Sequence, residues 1–266
     1  MTRTIVTFLA TALFLSITLP AAAKVEGKEV TYRDGDLVMK GYLAWDGAIK
    51  GKRPGVLVVH EWWGHNEYAR KRATMLAELG YTALAVDMYG GGKQAAHPAD
   101  AGKMAGEVMA NLPAMLSRFE AARLFLAAQP SVDSTRLAAI GYCFGGGVVL
   151  NEARQGAELR GVASFHGSLT AAQPAKAGAI KARILVFQGG ADKFSPPEMV
   201  GAFVTELTAA GADLQLHIYP GVQHSFSNPD ADTLASRFGI PLAYNADADH
   251  RSWQQLVLFL KDIFSK

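Results

Sequence analysis

One cysteine occurs in the chain, and it stands in Gly141-Tyr142-Cys143-Phe144-Gly145. That segment fits the pattern glycine, any residue, nucleophile, any residue, glycine. The pattern has a mechanical reason: a strand turning sharply into a helix lifts the central side chain clear of the backbone, and flanking glycines relieve the crowding. The amides at the start of the helix lower the pKa of a thiol placed there and can donate to a developing oxyanion. Two further residues suit the same chemistry. Asp192 lies in GGADKFSPP and His224 in PGVQHSF, each just after an apolar run. His224 is placed to take the proton of the Cys143 thiol, and Asp192 to hold the imidazole in the required tautomer.

The chain order is nucleophile, acid, base, which is the order used by α/β-hydrolases. In that layout the loop after the strand of PGVLVVH passes over the nucleophile, so the Trp62 amide is predicted as the second oxyanion donor beside that of Phe144. Glu61, next to it, is placed to hydrogen-bond the resting thiol. His60 and His65 are five residues apart in HEWWGH, whereas the zinc pattern H-E-x-x-H needs four, so no metal site is expected. His166 ends a strand and is a further histidine able to approach the site. His217 falls inside a strand, and His97 and His250 read as surface residues.

These positions need a frame that brings strand ends together. EVTYRDGDLVMKGYLAW (29–45) reads as a hairpin turning at Asp34-Gly35. Strands are predicted at 54–60, 81–89, 136–142, 160–167, 182–190 and 214–221. Helices are predicted at 67–79, 103–128 with a break at Pro113, 146–154, 197–211 and 249–264. Strands alternating with helices of this length imply a mostly parallel, doubly wound α/β sheet with helices on both faces. Ligands bind such sheets at the carboxyl ends of the strands. No linker or repeat divides residues 24–266, which read as a single domain.

Residues 1–23 carry a basic start at Arg3, an apolar core from Ile5 to Leu19, and Ala21-x-Ala23, the pattern of a cleavable signal peptide. Export to a periplasmic or extracellular space follows, with no membrane contact after cleavage. No cysteine lies near the cut, which excludes lipid attachment there. The full chain has a net charge of +2, and cleavage removes one positive charge with Arg3. A near-neutral protein offers no electrostatic case for nucleic acid. A lone cysteine forms no internal disulfide, so stability must come from the core. A monomer is expected.

Together HEWWG (60–64), DMYG (87–90), GYCFGG (141–146), GGADKFSPP (189–197) and HSF (224–226) resemble the dienelactone hydrolase family of α/β-hydrolases. The resemblance runs from about Lys28 to the final helix. It implies a cysteine hydrolase of small esters or lactones, working through a thioester on Cys143 without cofactor or metal. Cys143 would be the nucleophile, His224 the base, Asp192 its orienting acid, and Glu61 the carboxylate that holds the thiol until substrate displaces it. The family's two substrate-binding arginines fall at Gly91 and Asn228 here, so the anchor for an anionic lactone is missing. Lys93 is a possible point-charge substitute, and Trp62, Trp63, Tyr89, Phe144, Phe226 and Asn228 are expected around the pocket. Rival readings are a hydrolase of larger esters or thioesters, and a redox-sensing or binding protein that uses Cys143 without turnover. A peroxidatic cysteine needs no aligned Asp192 and His224.

Overall fold

The inner strands of the parallel body of the sheet are apolar at almost every position along their central stretches, because both of their faces are covered. The computed structural model describes residues 24–265; the predicted signal peptide lies outside them. In chain order the elements are β1 (Val25–Asp34), β2 (Leu37–Asp46), β3 (Arg53–Val59), α1 (Glu67–Glu78), β4 (Thr82–Val86), α2 (Pro98–Met109), α3 (Leu112–Ala127) and β5 (Val132–Tyr142). Then follow α4 (Phe144–Arg154), β6 (Gly161–Phe165), β7 (Arg183–Gly189), α5 (Pro197–Ala209), β8 (Leu214–Tyr219), α6 (Ala231–Phe238) and α7 (Ala246–Phe264). The sheet order is β1-β2-β4-β3-β5-β6-β7-β8. β1 and β2 are antiparallel to their neighbours, and the pairs from β4 through to β8 are parallel. This is the α/β-hydrolase architecture.

Side chains alternate across the sheet as strand geometry requires. Leu57 and Val59 of β3, Leu137 and Ala139 of β5, and Ile184 and Val186 of β7 join one core with Phe119 of α3, Val148 of α4 and Phe203 of α5. Their neighbours Val56, Val58, Ala138, Ile140, Leu185 and Phe187 face the other way, against Leu76 of α1 and Leu256, Phe259 and Leu260 of α7.

Where the elements differ from those predicted, local chemistry explains the difference. The hairpin pairs Asp34 with Leu37, so its two-residue turn is Gly35-Asp36, one position later than predicted; Gly35 takes φ 55°. The long helix predicted at 103–128 is two helices. Pro113 cannot donate a hydrogen bond to the carbonyl of Met109; Asn111 caps α3 instead, accepting from the Ala114 amide at 3.1 Å. α2 also begins earlier than predicted, at Pro98 behind a His97 cap. His97, read as a surface residue, is thus the cap of that helix. α6 has no counterpart in the prediction, and α7 starts three residues sooner, capped by Asn245.

Candidate active site

Cys143 sits between β5 and α4 in a backbone conformation that L-residues rarely adopt, φ 52° and ψ −113°. Such a residue costs of order 1–3 kcal/mol and persists only where its surroundings hold it. Here they do: the Cys143 amide donates to the Phe165 carbonyl at 3.0 Å, and the Gly145 amide donates to His60 O at 3.1 Å. The glycines permit this approach. A Cβ on Gly141 would stand 2.0 Å from the Gly145 carbonyl oxygen, and one on Gly145 2.3 Å from that of Val59. The elbow is thereby wedged against β3 and β6 with Cys143 at the N-terminus of α4, where backbone amides favour a negative charge.

His224 follows β8 and Asp192 follows β7, and the parallel sheet brings both to the same edge as Cys143. His224 Nδ1 is 2.8 Å from Asp192 Oδ2, and both residues are buried. Asp192 also accepts from the Phe194 amide at 2.8 Å and from Gln188 Nε2 at 3.4 Å. With Nδ1 committed to Asp192, the other imidazole nitrogen is left for the hydrogen bond that His224 shares with Cys143. Burial opposes a charge on His224. The Cys143 sulfur and the Asp192 carboxylate outweigh it and push the imidazole up to about 10. The arrangement keeps an imidazolium beside the Cys143 sulfur through neutral pH.

The amides of Trp62 and Phe144 have no acceptor among the described residues. Their loops are fixed from behind: Tyr89 Oη donates to Trp62 O at 3.0 Å, and Gly64 N to Glu61 O at 3.1 Å. His60 braces the same turn, with Nδ1 2.6 Å from Glu61 O and Nε2 accepting from the Met88 amide at 3.2 Å. Both of its nitrogens are used. His65 is buried without a side-chain partner among the described residues, and burial lowers it to about 4.

Glu61 is placed differently from the expectation that it would hold the thiol. It accepts from Asn228 Nδ2 at 2.6 Å and Ser225 Oγ at 3.2 Å, while the partner of Cys143 is His224. Burial raises the Glu61 carboxyl, and Asn228, His224 and Ser225 work against that rise. The reason is the local supply of donors: Ser225, at φ 58°, and Asn228 lie on the turn that carries His224 and point into the buried carboxylate. Asn228 is therefore a partner of Glu61 and not a wall of the cavity beside Cys143.

That cavity, of about 520 Å³, is bounded by Trp62, Phe144, Cys143 and His224, by Ala105, Gly106 and Met109 of α2, and by Leu242. Ser168, Thr170, Ala171 and Ala172 after β6 and Phe194 and Ser195 after β7 complete it. Trp63, Tyr89, Lys93 and Phe226, predicted around the pocket, do not line it. Tyr89 packs between His60 and Phe144, and Phe226 is buried behind His166. Trp63 stacks on Phe238 at 6.0 Å and, with Asn228, lines a second cavity of about 320 Å³. Lys93 is exposed, with its carbonyl accepting the His65 amide. Gly91, likewise exposed, has open space where a Cβ would be.

His166 reaches the site from behind. Its ring meets that of His224 at 5.1 Å, and its Nε2 is 2.8 Å from Ser227 Oγ. Burial and the neighbouring His224 hold it well below the usual histidine range. Ser227 in turn meets Tyr68 and Arg72, and Arg72 pairs with Asp249 at 2.5 Å. Sequence patterns pick out neither Ser227 nor the α2 wall, and GGADKFSPP and HSF contain Phe194 and Ser225 without giving them a role, since each role is defined by contacts between distant segments. The positive φ of Ser225 leaves no compositional mark.

A dienelactone hydrolase family model matches residues 39–264. The dienelactone hydrolase-like promiscuous phosphotriesterase P91 from metagenomic libraries shares 36% identity with a TM-score of 0.84, over 90% of this chain and 99% of P91. The protein usf of Aquifex pyrophilus is 26% identical over 243 residues, 89% of this chain and 98% of its own. A dienelactone hydrolase from Anabaena variabilis shares the fold, with TM-score 0.59 and 20% identity over 80% of this chain and 94% of its own. The elbow, the sheet and the extent of these matches lead to one conclusion: the chain belongs to the dienelactone hydrolase family of α/β-hydrolases.

Proposed function

We propose that the protein hydrolyses a small carboxylic ester or lactone through a thioester on Cys143. The hydrogen-bonded line from Cys143 through His224 to Asp192, at the edge of a water-accessible cavity, carries this reading. The Cys143 thiolate attacks the acyl carbon, forming an S–C bond and an oxyanion that the Trp62 and Phe144 amides receive. As the tetrahedral species collapses, the C–O bond breaks and His224 gives its proton to the leaving oxygen. Water then attacks the thioester with His224 taking a proton, and the thiolate is released with the carboxylic acid. Asp192 holds the tautomer and supports the imidazolium.

The test is a panel of aryl esters and lactones turned over by wild type, Cys143→Ser and Cys143→Ala. Wild type is expected to show a burst and an acyl adduct on Cys143 by intact mass, and Cys143→Ala to lose about 10³-fold or more in kcat/KM. Turnover undiminished in Cys143→Ala would sink the reading. A second reading follows from the similarity to P91: the same thiolate can displace an aryloxide from an uncharged phosphotriester, and the uncharged cavity walls suit such a substrate. Paraoxon in the same panel tests it, with phosphoryl transfer to Cys143 as the expected outcome.

A further inference from the structure

The walls of the cavity hold a second kind of information. Among the described residues that line it there is no Asp, Glu, Lys or Arg; the titratable groups are Cys143 and His224. Glu61, Glu107 and Lys193 adjoin lining residues in sequence, yet none forms the wall, and Glu61 is turned to Ser225 and Asn228. A carboxylate entering this space would lose its hydration and meet no cation other than the His224 imidazolium, which Asp192 already pairs, a heavy cost. The two sides of the cavity are also unlike. Phe194 lies edge-on to His224 at 4.8 Å and is half exposed, so the rim beside the proton donor is open, and a leaving group protonated there would depart past it. An acyl group would then extend the other way, past Trp62 toward the α2 residues that line the cavity. A Cβ on Gly102 of α2 would stand 3.8 Å from Trp62 Cζ3, and one on Gly106 would meet nothing within 4 Å. Gly106, exposed in the α2 wall, thus has open space beside it.

We propose that the site takes uncharged substrates with an extended apolar acyl chain, and that Gly106 determines the chain length that fits. The inference rests on the reading of the site as an acyl-transfer centre, and its test separates the two. Each methylene buried against α2 contributes about three- to fourfold to kcat/KM. A leucine at position 106 projects into that space. It also replaces a glycine within a helix by a better helix former, so the substitution does not endanger the fold.

The experiment compares p-nitrophenyl acetate, p-nitrophenyl hexanoate and the mono-p-nitrophenyl ester of adipate, whose chain length matches hexanoate but ends in a carboxylate. Wild type is expected to prefer hexanoate to adipate by about a hundredfold. Gly106→Leu is expected to lower the hexanoate-to-acetate ratio about tenfold. Adipate within a few-fold of hexanoate, or an unaltered ratio in Gly106→Leu, overturns the inference. A second arm needs no ester cleavage: alkylation of Cys143 by N-hexyl iodoacetamide and by its ω-carboxylate analogue, each forming an S–C bond with loss of iodide, normalised to glutathione. The neutral reagent is expected to win about tenfold or more, and parity overturns the inference. Neutral preference without any ester turnover would fault the hydrolase reading alone.

Discussion

At the scale of single residues, His224 decides how the site responds to pH. Its folded pKa, about 10, lies above the ordinary histidine value near 6.5. A raised base stabilises the fold fully below the unfolded pKa and loses that contribution as pH rises through the folded one. The charged His224 that protonates a leaving alkoxide therefore persists through neutral pH. For an alkyl ester, kcat/KM is expected to fall on the alkaline side with an apparent pKa of about 10 as His224 loses its proton. An alkaline limb centred near pH 7 would contradict this. Asp192→Asn should lower kcat by about 10²–10⁴-fold through loss of the tautomer, measurable in the same assay.

At the scale of elements, α4 both presents Cys143 and carries a buried acid. Glu152 is 5% exposed, and its Oε1 has no partner among the described residues. Burial, helped by the charge of Glu120, raises it to about 9. A carboxyl raised in the folded state stays neutral there while the unfolded chain ionises near 4.5, so stability is full below that pH and drains away as pH rises toward 9. Glu152→Gln is expected to remove this slope and gain at most about 4 kcal/mol on wild type between pH 5 and 8. Urea unfolding at three pH values measures it; parallel slopes in the two proteins would refute it. The elements were largely legible in the sequence, because the strands are continuous apolar runs and the helices end at glycines or begin at caps. The break at Pro113 was legible, while the separate start of α2 at His97 was not, because a histidine cap followed by proline resembles any surface turn. α6 is eight residues with one buried, Ala231, too short for apolar positions such as 231, 234 and 238 to stand out from the surrounding loop.

At the scale of the whole molecule, one buried network ties α1 and α7 to the site. Arg72 of α1 reaches Ser227 O at 2.6 Å and Asp249 of α7 at 2.5 Å, and Tyr68 meets Ser227 Oγ at 2.8 Å. These contacts hold the turn that carries His224. Arg72→Met should destabilise the protein by about 3–5 kcal/mol, because it strands a largely buried carboxylate. That lowers Tm by roughly 6–20 °C for a chain of this size. Adding Asp249→Leu should recover part of the loss, and a double variant no better than the single one would argue against the pairing. Cys143, Asp192 and His224 could be named in advance because a parallel sheet places every strand end on one edge, so order along the chain becomes proximity in space. The partner of Glu61, the burial of Tyr89 and Phe226, and the α2 wall could not, because each depends on which side chains meet across dozens of residues. The sequence by itself determined the chemistry of the elbow and the sheet that aims it. The tertiary structure alone decided that Glu61 answers Ser225 and Asn228, and that uncharged walls surround the thiol, since burial and contact are properties of packing and not of residue type.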